Sequence, residues 1–372
     1  MRRWRLTALG TLLLLVSSLL APFLAWGAES SQMSLSLAEA VQLAWQNSPD
    51  IRAAQAEVDK WWEQRKDAAD VVEKMSYIPA AGPNVVPYAD MAWVALLSTD
   101  AAWQMAKKNL EDKKQYLAVQ VAQAYYDVLA AQTAYEQAKR QLELAERALS
   151  VARAAYWAGT ATNFDLAKPE ADAQAASKGL AAAKEALGKA YVVLNRLIGL
   201  PSDSRPVLTT RPPTENLKVE SLDAEVSRAL ESSASIFALR KNVDIARWNV
   251  DYPYATGKYL KYNIATADLA ASEQQLYAAQ DVLKEKVHTT YRQIRSLEEQ
   301  IQAQEAQVKA AEEAARLAKI RYEAGVAIKL EVDKAETALA EARAKLENLY
   351  CQHAAALAGW NYLTGRPVVN GT

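Results

Sequence analysis

Few residues in this chain are equipped for bond-making chemistry. There are two histidines, His288 and His353, and one cysteine, Cys351. A structural zinc site needs four converging Cys, His or carboxylate ligands. A Ser or Cys nucleophile needs a base beside it. Neither arrangement is offered, and there is no phosphate-binding glycine loop, nucleophile elbow or carboxylate pair near a histidine. His353 falls on an apolar helical stripe and reads as a packing residue, as does Cys351. No catalytic residue, metal or cofactor is expected. The acids that do show a pattern are Asp165 and Glu331. Each lies six residues after a glycine, Gly159 or Gly325, and each glycine lies three after a tyrosine, Tyr156 or Tyr322. A carboxylate there reads as a first-turn acid favoured by the helix dipole.

The spacing that repeats these residues extends far beyond them. Sliding the sequence by 166 positions superposes Val121 on Val287, Tyr125 on Tyr291, and Leu194-Asn195 on Trp360-Asn361 without a gap. A shorter echo, Leu37-Ala38-Glu39-Ala40-Val41 against Leu222-Asp223-Ala224-Glu225-Val226, recurs at an offset of 185. The first copy therefore holds 19 extra residues between its short and long helices. The chain divides into repeats 37–201 and 222–367, joined by a Pro-, Ser- and Thr-rich linker, 202–221.

Apolar residues in each copy recur at alternating steps of four and three, the period of left-handed coiled coils. Val121, Tyr125, Val128, Leu142, Leu149 and Tyr156 mark the outgoing arm of copy one. Each copy reads as a long antiparallel helical hairpin. Outgoing arms are expected over roughly 100–157 and 266–323, about 85 Å each, with return arms over roughly 163–198 and 329–364. Gly159 and Gly325 suit the left-handed turn past a helix end. Thr162-Asn163-Phe164-Asp165 reads as a capping box. Pro169 implies either a later start near Lys168 or a kink. The expected fold class is mostly all-α: duplicated hairpins in a coiled-coil bundle or tunnel.

Composition agrees. Gly and Pro number only 12 each, which argues against many short strands, and the net charge of -1 recruits neither nucleic acid nor anionic lipid. Residues 1–28 combine Arg2, Arg3 and Arg5 with the apolar run around Leu12–Val16 and Ala25-Trp26-Gly27. That is the pattern of a signal peptide, leaving a mature domain, 29–372, in the cell envelope.

These features together resemble the TolC-like outer-membrane efflux protein family. The carriers are Leu37 to Ala44 with Asn47-Ser48-Pro49, Val121-Ala122-Gln123-Ala124-Tyr125-Tyr126, the duplicated Tyr-x-x-Gly, and Leu197-Ile198-Gly199-Leu200-Pro201. The resemblance implies a homotrimer whose helices form a hollow periplasmic tube, docked on a periplasmic adaptor and an inner-membrane transporter. It implies a passive conduit for small molecules or proteins, located in the outer membrane or periplasm. Tyr156, Gly159, Asp165, Tyr322, Gly325 and Glu331 match the tips that form the tunnel entrance and adaptor-docking site. Ala327 and Lys334 depart from the family's charge pattern there. The competing reading is a coiled-coil scaffold of the periplasm or cell surface without a pore.

The family also implies two membrane strands per copy, and here the fit fails. A two-strand hairpin needs about 25 residues. Copy one offers about 75–98, interrupted by Pro79, Pro83 and Pro87, and copy two only about 251–262. At most short strands are expected to replace the barrel hairpins. Aromatic residues gather at this end: Trp61, Trp62, Tyr77, Tyr88 and Trp93 in copy one, and Trp248, Tyr252, Tyr254, Tyr259 and Tyr262 in copy two. Trp and Tyr suit a membrane–water interface, or they pack the end of the bundle.

Overall fold

The structure is a computed structural model that describes residues 34–76, 85–252 and 261–369. Residues 1–28, the expected signal peptide, lie outside it, as do Tyr77, Tyr254 and Tyr259. Among the described residues, eight helices fall into two sets of four in the same order. The first set is α1 (Leu37–Asn47), α2 (Pro49–Ser76), α3 (Val85–Trp157) and α4 (Asn163–Ile198). The second is α5 (Leu222–Ser232), α6 (Ala234–Asp251), α7 (Tyr262–Glu323) and α8 (Lys329–Leu363). Two-residue strands β1 (Ser34–Leu35) and β2 (Val207–Leu208) pair in parallel.

Local chemistry sets the boundaries. Ser36 and Glu39 form a capping box that starts α1, and Ser221 caps α5. Gly199 and Gly365 take positive φ of 77° and 69° where α4 and α8 stop. Each of these glycines receives the last residue of a short helix. A Cβ on Gly199 would stand 2.7 Å from the Asn47 side chain, and one on Gly365 2.3 Å from Ser232. Asn47 Nδ2 also donates to the Ile198 carbonyl at 2.8 Å. The end of each return arm is thus locked to the start of its own repeat.

The α3–α4 and α7–α8 hairpins lie side by side through an α3–α8 seam, giving a wall in the order α4, α3, α8, α7. In copy one, Val41 and Ala44 of α1 bury against Val121, Tyr125 and Val128 of α3 and Leu194 and Ile198 of α4. Each such aliphatic side chain contributes about 1.5–3 kcal/mol. Copy two buries Ala229, Val287, Ile294, Trp360 and Leu363 in the same way. Small residues Ala122, Ala354 and Ala358, with Cys351, line the seam and let the hairpins approach closely. Burial pushes the Cys351 thiol up to about 12, which leaves it an inert packing group.

The linker crosses this wall as a strap. The buried Tyr125 hydroxyl donates to the Leu35 carbonyl at 3.0 Å and accepts from the Thr210 N–H at 2.8 Å. Tyr191 Oη donates to the Pro206 carbonyl, and Glu298 accepts from the Leu217 N–H at 2.6 Å.

Two expectations are corrected. The stretch 75–98 is helical on both sides of residues 77–84, because Pro87 falls in the first turn of α3, where its missing N–H costs nothing. The outgoing arm therefore begins at Val85 and not near 100. In keeping with the expectation of at most short strands, strand among the described residues is confined to β1 and β2, which pair the segment before α1 with the strap. Pro169 neither delays nor breaks α4, which starts at Asn163 because Thr162 and Asp165 supply the cap. Among the described residues, no helix is long and apolar enough to cross a membrane.

Candidate functional site

The candidate site is the pair of hairpin tips at the end of the wall opposite α2 and α6. Both close with the same turn. The N–H of Thr160 bonds the Ala155 carbonyl and that of Gly159 the Tyr156 carbonyl, both at 3.0 Å. Val326 bonds Arg321 and Gly325 bonds Tyr322, both at 2.9 Å. Gly159 and Gly325 have φ of 73° and 74°, the left-handed conformation this closure requires.

The two acids part company here. Asp165 is taken up by capping: its Oδ2 accepts from the Thr162 N–H at 2.8 Å and the Thr162 hydroxyl at 2.7 Å. The N–H first, and the hydroxyl second, hold its pKa below the ordinary value. Glu331 is exposed in the first turn of α8 and forms no ion pair among the described residues. Tyr156 stacks edge-on against Trp157, with centroids 5.9 Å apart. Tyr322 is 45 % exposed, with the Lys329 ammonium 6.0 Å from its ring centre.

Sequence reasoning missed several residues at this end. Trp157 and Phe164 flank the first turn at 83 % and 86 % exposure. In the second turn Val326 and Ile328 are exposed after Gly325, and the exposed Glu323 stands where copy one has Trp157. Asp333, nearly buried on α8, pairs with Arg147 of α3 at 3.0 Å and Lys329 at 3.3 Å, tying one hairpin to the other. The repeat-one counterpart of Asp333 is Ala167, so comparing the copies hides this contact.

At the opposite end the aromatic residues divide. Trp62 stacks on Trp103 at 4.8 Å, and Arg65 lies 5.4 Å from both rings while pairing with Asp100. Trp61 and Trp248 are half-buried. Tyr88, Trp93, Tyr252 and Tyr262 are exposed.

Fold and tips together define a wall of two paired helical hairpins with matching glycine turns at one end. The sequence family described as outer membrane efflux protein matches residues 94–200 and 246–366. The chain belongs to that family and is a protein of the cell envelope. Its sequence is similar to the outer membrane protein TolC of Vibrio cholerae serotype O1, 27 % identical over 188 residues. That match takes in 49 % of this chain and 42 % of the relative, so it spans less than half of the relative's length. In fold it resembles the outer-membrane channel OprN, with a TM-score of 0.70 and 15 % identity, covering 88 % of this chain and 89 % of that one. It also resembles VceC of Vibrio cholerae, with a TM-score of 0.67 and 15 % identity over 90 % and 97 % of the two chains. The open-state MtrE channel of Neisseria gonorrhoeae gives 0.63 at 17 % identity, covering 89 % of each.

Proposed function

We propose that this chain is the subunit of an efflux or secretion tunnel, a passive conduit that makes and breaks no bonds. Three copies close the tube, and an adaptor and an inner-membrane transporter dock at its tips. The observation that carries this reading is the wall's pair of open edges. The internal seam joins the outgoing arm of copy one, α3, to the return arm of copy two, α8. The edges left open are the outgoing arm of copy two, α7, and the return arm of copy one, α4. They are the same pair of elements with the repeats exchanged. The seam that exists inside the chain is therefore a template for a head-to-tail seam between chains, the kind of contact that closes a ring. Apolar residues wait on both edges: Val192 of α4 is 43 % exposed and Leu317 of α7 is 55 % exposed.

The exposed Trp157, Phe164, Val326 and Ile328 offer the adaptor an apolar contact, and Glu331 is the exposed acid at the entrance. At the far end, Tyr88, Trp93 and Tyr262 face the outer membrane.

The test is a cross-link across the proposed seam. By the repeat offset, Ala306 and Ala181 correspond to Arg140 and Glu347, which line one groove of the internal seam. Ala181→Cys and Ala306→Cys together, in a Cys351→Ala background, should yield covalent dimers and trimers with a short bismaleimide, and neither single variant should. Monomer alone from the double variant would refute ring closure and leave the scaffold reading.

A further inference from the structure

The seam inside the chain keeps one antiparallel register along its length. Near its upper end Tyr362 of α8 donates to Asp112 of α3 at 3.0 Å, and its ring lies 5.9 Å from that of Tyr116. Farther down, Cys351 lies beside Tyr126, and Ala344 and Thr133 line the same two grooves. Arg147 and Asp333 close the run at 3.0 Å. Each step forward along α3 is matched by one step backward along α8.

The repeat offset of 166 carries this register to the open edges of the wall. Positions of α3 move to α7, and positions of α8 move to α4. Gln115, Tyr126 and Thr133 become Asp281, Arg292 and Glu299. The residues opposite them, Tyr362, Cys351 and Ala344, become Arg196, Glu185 and Lys178. Three uncharged pairings inside the chain thus turn into three opposite-charge pairings between chains: Arg196 with Asp281, Glu185 with Arg292, and Lys178 with Glu299.

Each set of charges forms a stripe. At about 100° per residue, Asp281, Arg292 and Glu299 fall within about 20° of one line along α7. Arg196, Glu185 and Lys178 do the same along α4. All six are exposed in the single chain. Asp281 pairs with Lys284 of its own helix at 2.9 Å, and the other five form no ion pair among the described residues. Lys189 shares the α4 stripe but falls opposite His288, so that position adds no pair. The signs fit in one register only. A slip of one heptad sets Glu185 against Glu299, and the same slip the other way sets Lys178 against Arg292. Like charges penalise the wrong pairing, as they do at the flanking positions of coiled coils.

We propose that these three pairs fasten the seam between chains and set its register, the partner being a second copy of this chain. The proposal rests on the tunnel reading above and names the residues that close the ring. The two kinds of seam then differ in chemistry. The inner one is covered, with Ala118, Ala122, Cys351, Ala354 and Ala358 all buried. The outer one carries Lys284 and His288 where the inner has Ala118 and Ala122. At 1 M salt the screening length falls to about 3 Å, which weakens exposed ion pairs and leaves apolar packing intact. Salt therefore loosens the contacts between chains before it loosens the wall of any one chain.

The test uses the full chain in mild detergent, in a Cys351→Ala background. Ala182→Cys and Ser296→Cys together supply the reporter, because their counterparts inside the chain, Asn348 and Ala130, line two grooves together. Oxidation with copper phenanthroline should give disulfide-linked dimers and trimers. Adding Glu299→Lys should slow the linking by about five-fold or more, and so should adding Lys178→Glu. Both reversals together should restore it to within about two-fold of the parent. In 1 M NaCl the single reversals should differ from the parent by less than about two-fold. Linking as fast in both single reversals as in the parent refutes the ion pairs while leaving the ring. Slow linking in the double reversal, or a difference unmoved by salt, refutes the pairing of Lys178 with Glu299. No linking in the parent refutes the α4–α7 seam itself, and both readings fall.

Discussion

Tyr125 and Tyr291 occupy the same position in the two repeats but hold different partners, so one substitution made at both sites is its own control. The Tyr125 hydroxyl joins two backbone groups from segments remote in sequence, the Leu35 carbonyl and the Thr210 N–H. Tyr125 and Leu35 are both fully buried. Tyr125→Phe leaves the Thr210 N–H without its partner, while the Leu35 carbonyl keeps the Thr209 N–H at 3.1 Å. A cost of about 1–3 kcal/mol is expected. The Tyr291 hydroxyl instead accepts from the half-exposed Arg295 side chain at 3.1 Å. Tyr291→Phe frees a guanidinium that water can reach, and about 0.5–1 kcal/mol is expected. The assay is amide hydrogen exchange read at Thr210, which reports local opening of the strap. Tyr125→Phe should accelerate that exchange by about 10-fold or more, and Tyr291→Phe should leave it within about three-fold of the unsubstituted chain. Equal protection of Thr210 in both variants would refute the claim that this hydroxyl fastens the strap.

Two further outcomes follow from the same packing. Gly159→Ala meets open space and bears only the strain of its positive φ, about 1–2 kcal/mol, whereas Gly199→Ala also collides with Asn47. Thermal midpoints should fall further for Gly199→Ala, and equal falls would refute the locking role given to Asn47. His353 is buried with neither ring nitrogen hydrogen-bonded, 3.5 Å from Glu298. Burial, which outweighs attraction by Glu298, lowers its pKa below the ordinary value of 6.5. The unfolded chain then takes up the proton first, so stability from this site is present above about pH 6.5 and is lost as pH falls below it. His353→Leu, which installs the residue found at Leu187 of copy one, should shrink the difference in melting midpoint between neutral and mildly acidic buffer. An unchanged difference would place the acid sensitivity elsewhere.

The helical periodicity was legible because long arms sample it many times. The return arm expected at 163–198 is α4, and its partner at 329–364 ends one residue earlier, at Leu363. The start of α3 was not legible. Prolines at 79, 83 and 87 argue locally against regular structure, and only the packing of Ala92, Val94 and Ala101 decides for a helix. At the tips, the turns were visible through glycine, a residue with a unique conformational range. The Arg147–Asp333 tie was not, since it joins residues whose repeat partners carry no matching charges. The direction of each helix face was equally hidden. Periodicity distinguishes buried from exposed, but only contact with the strap separates one exposed side from the other.

The two upper hairpins differ in reach. Helix α2 has 28 residues and α6 has 18, a difference of about 15 Å in height. The lower tips, by contrast, close with matching turns. A ring of three such chains would be nearly six-fold at its lower mouth and strictly three-fold at its upper rim, where tall and short prongs alternate. A partner ring of six could grip the lower mouth at equivalent points. Whatever met that rim would meet three tall prongs and not six equivalent ones.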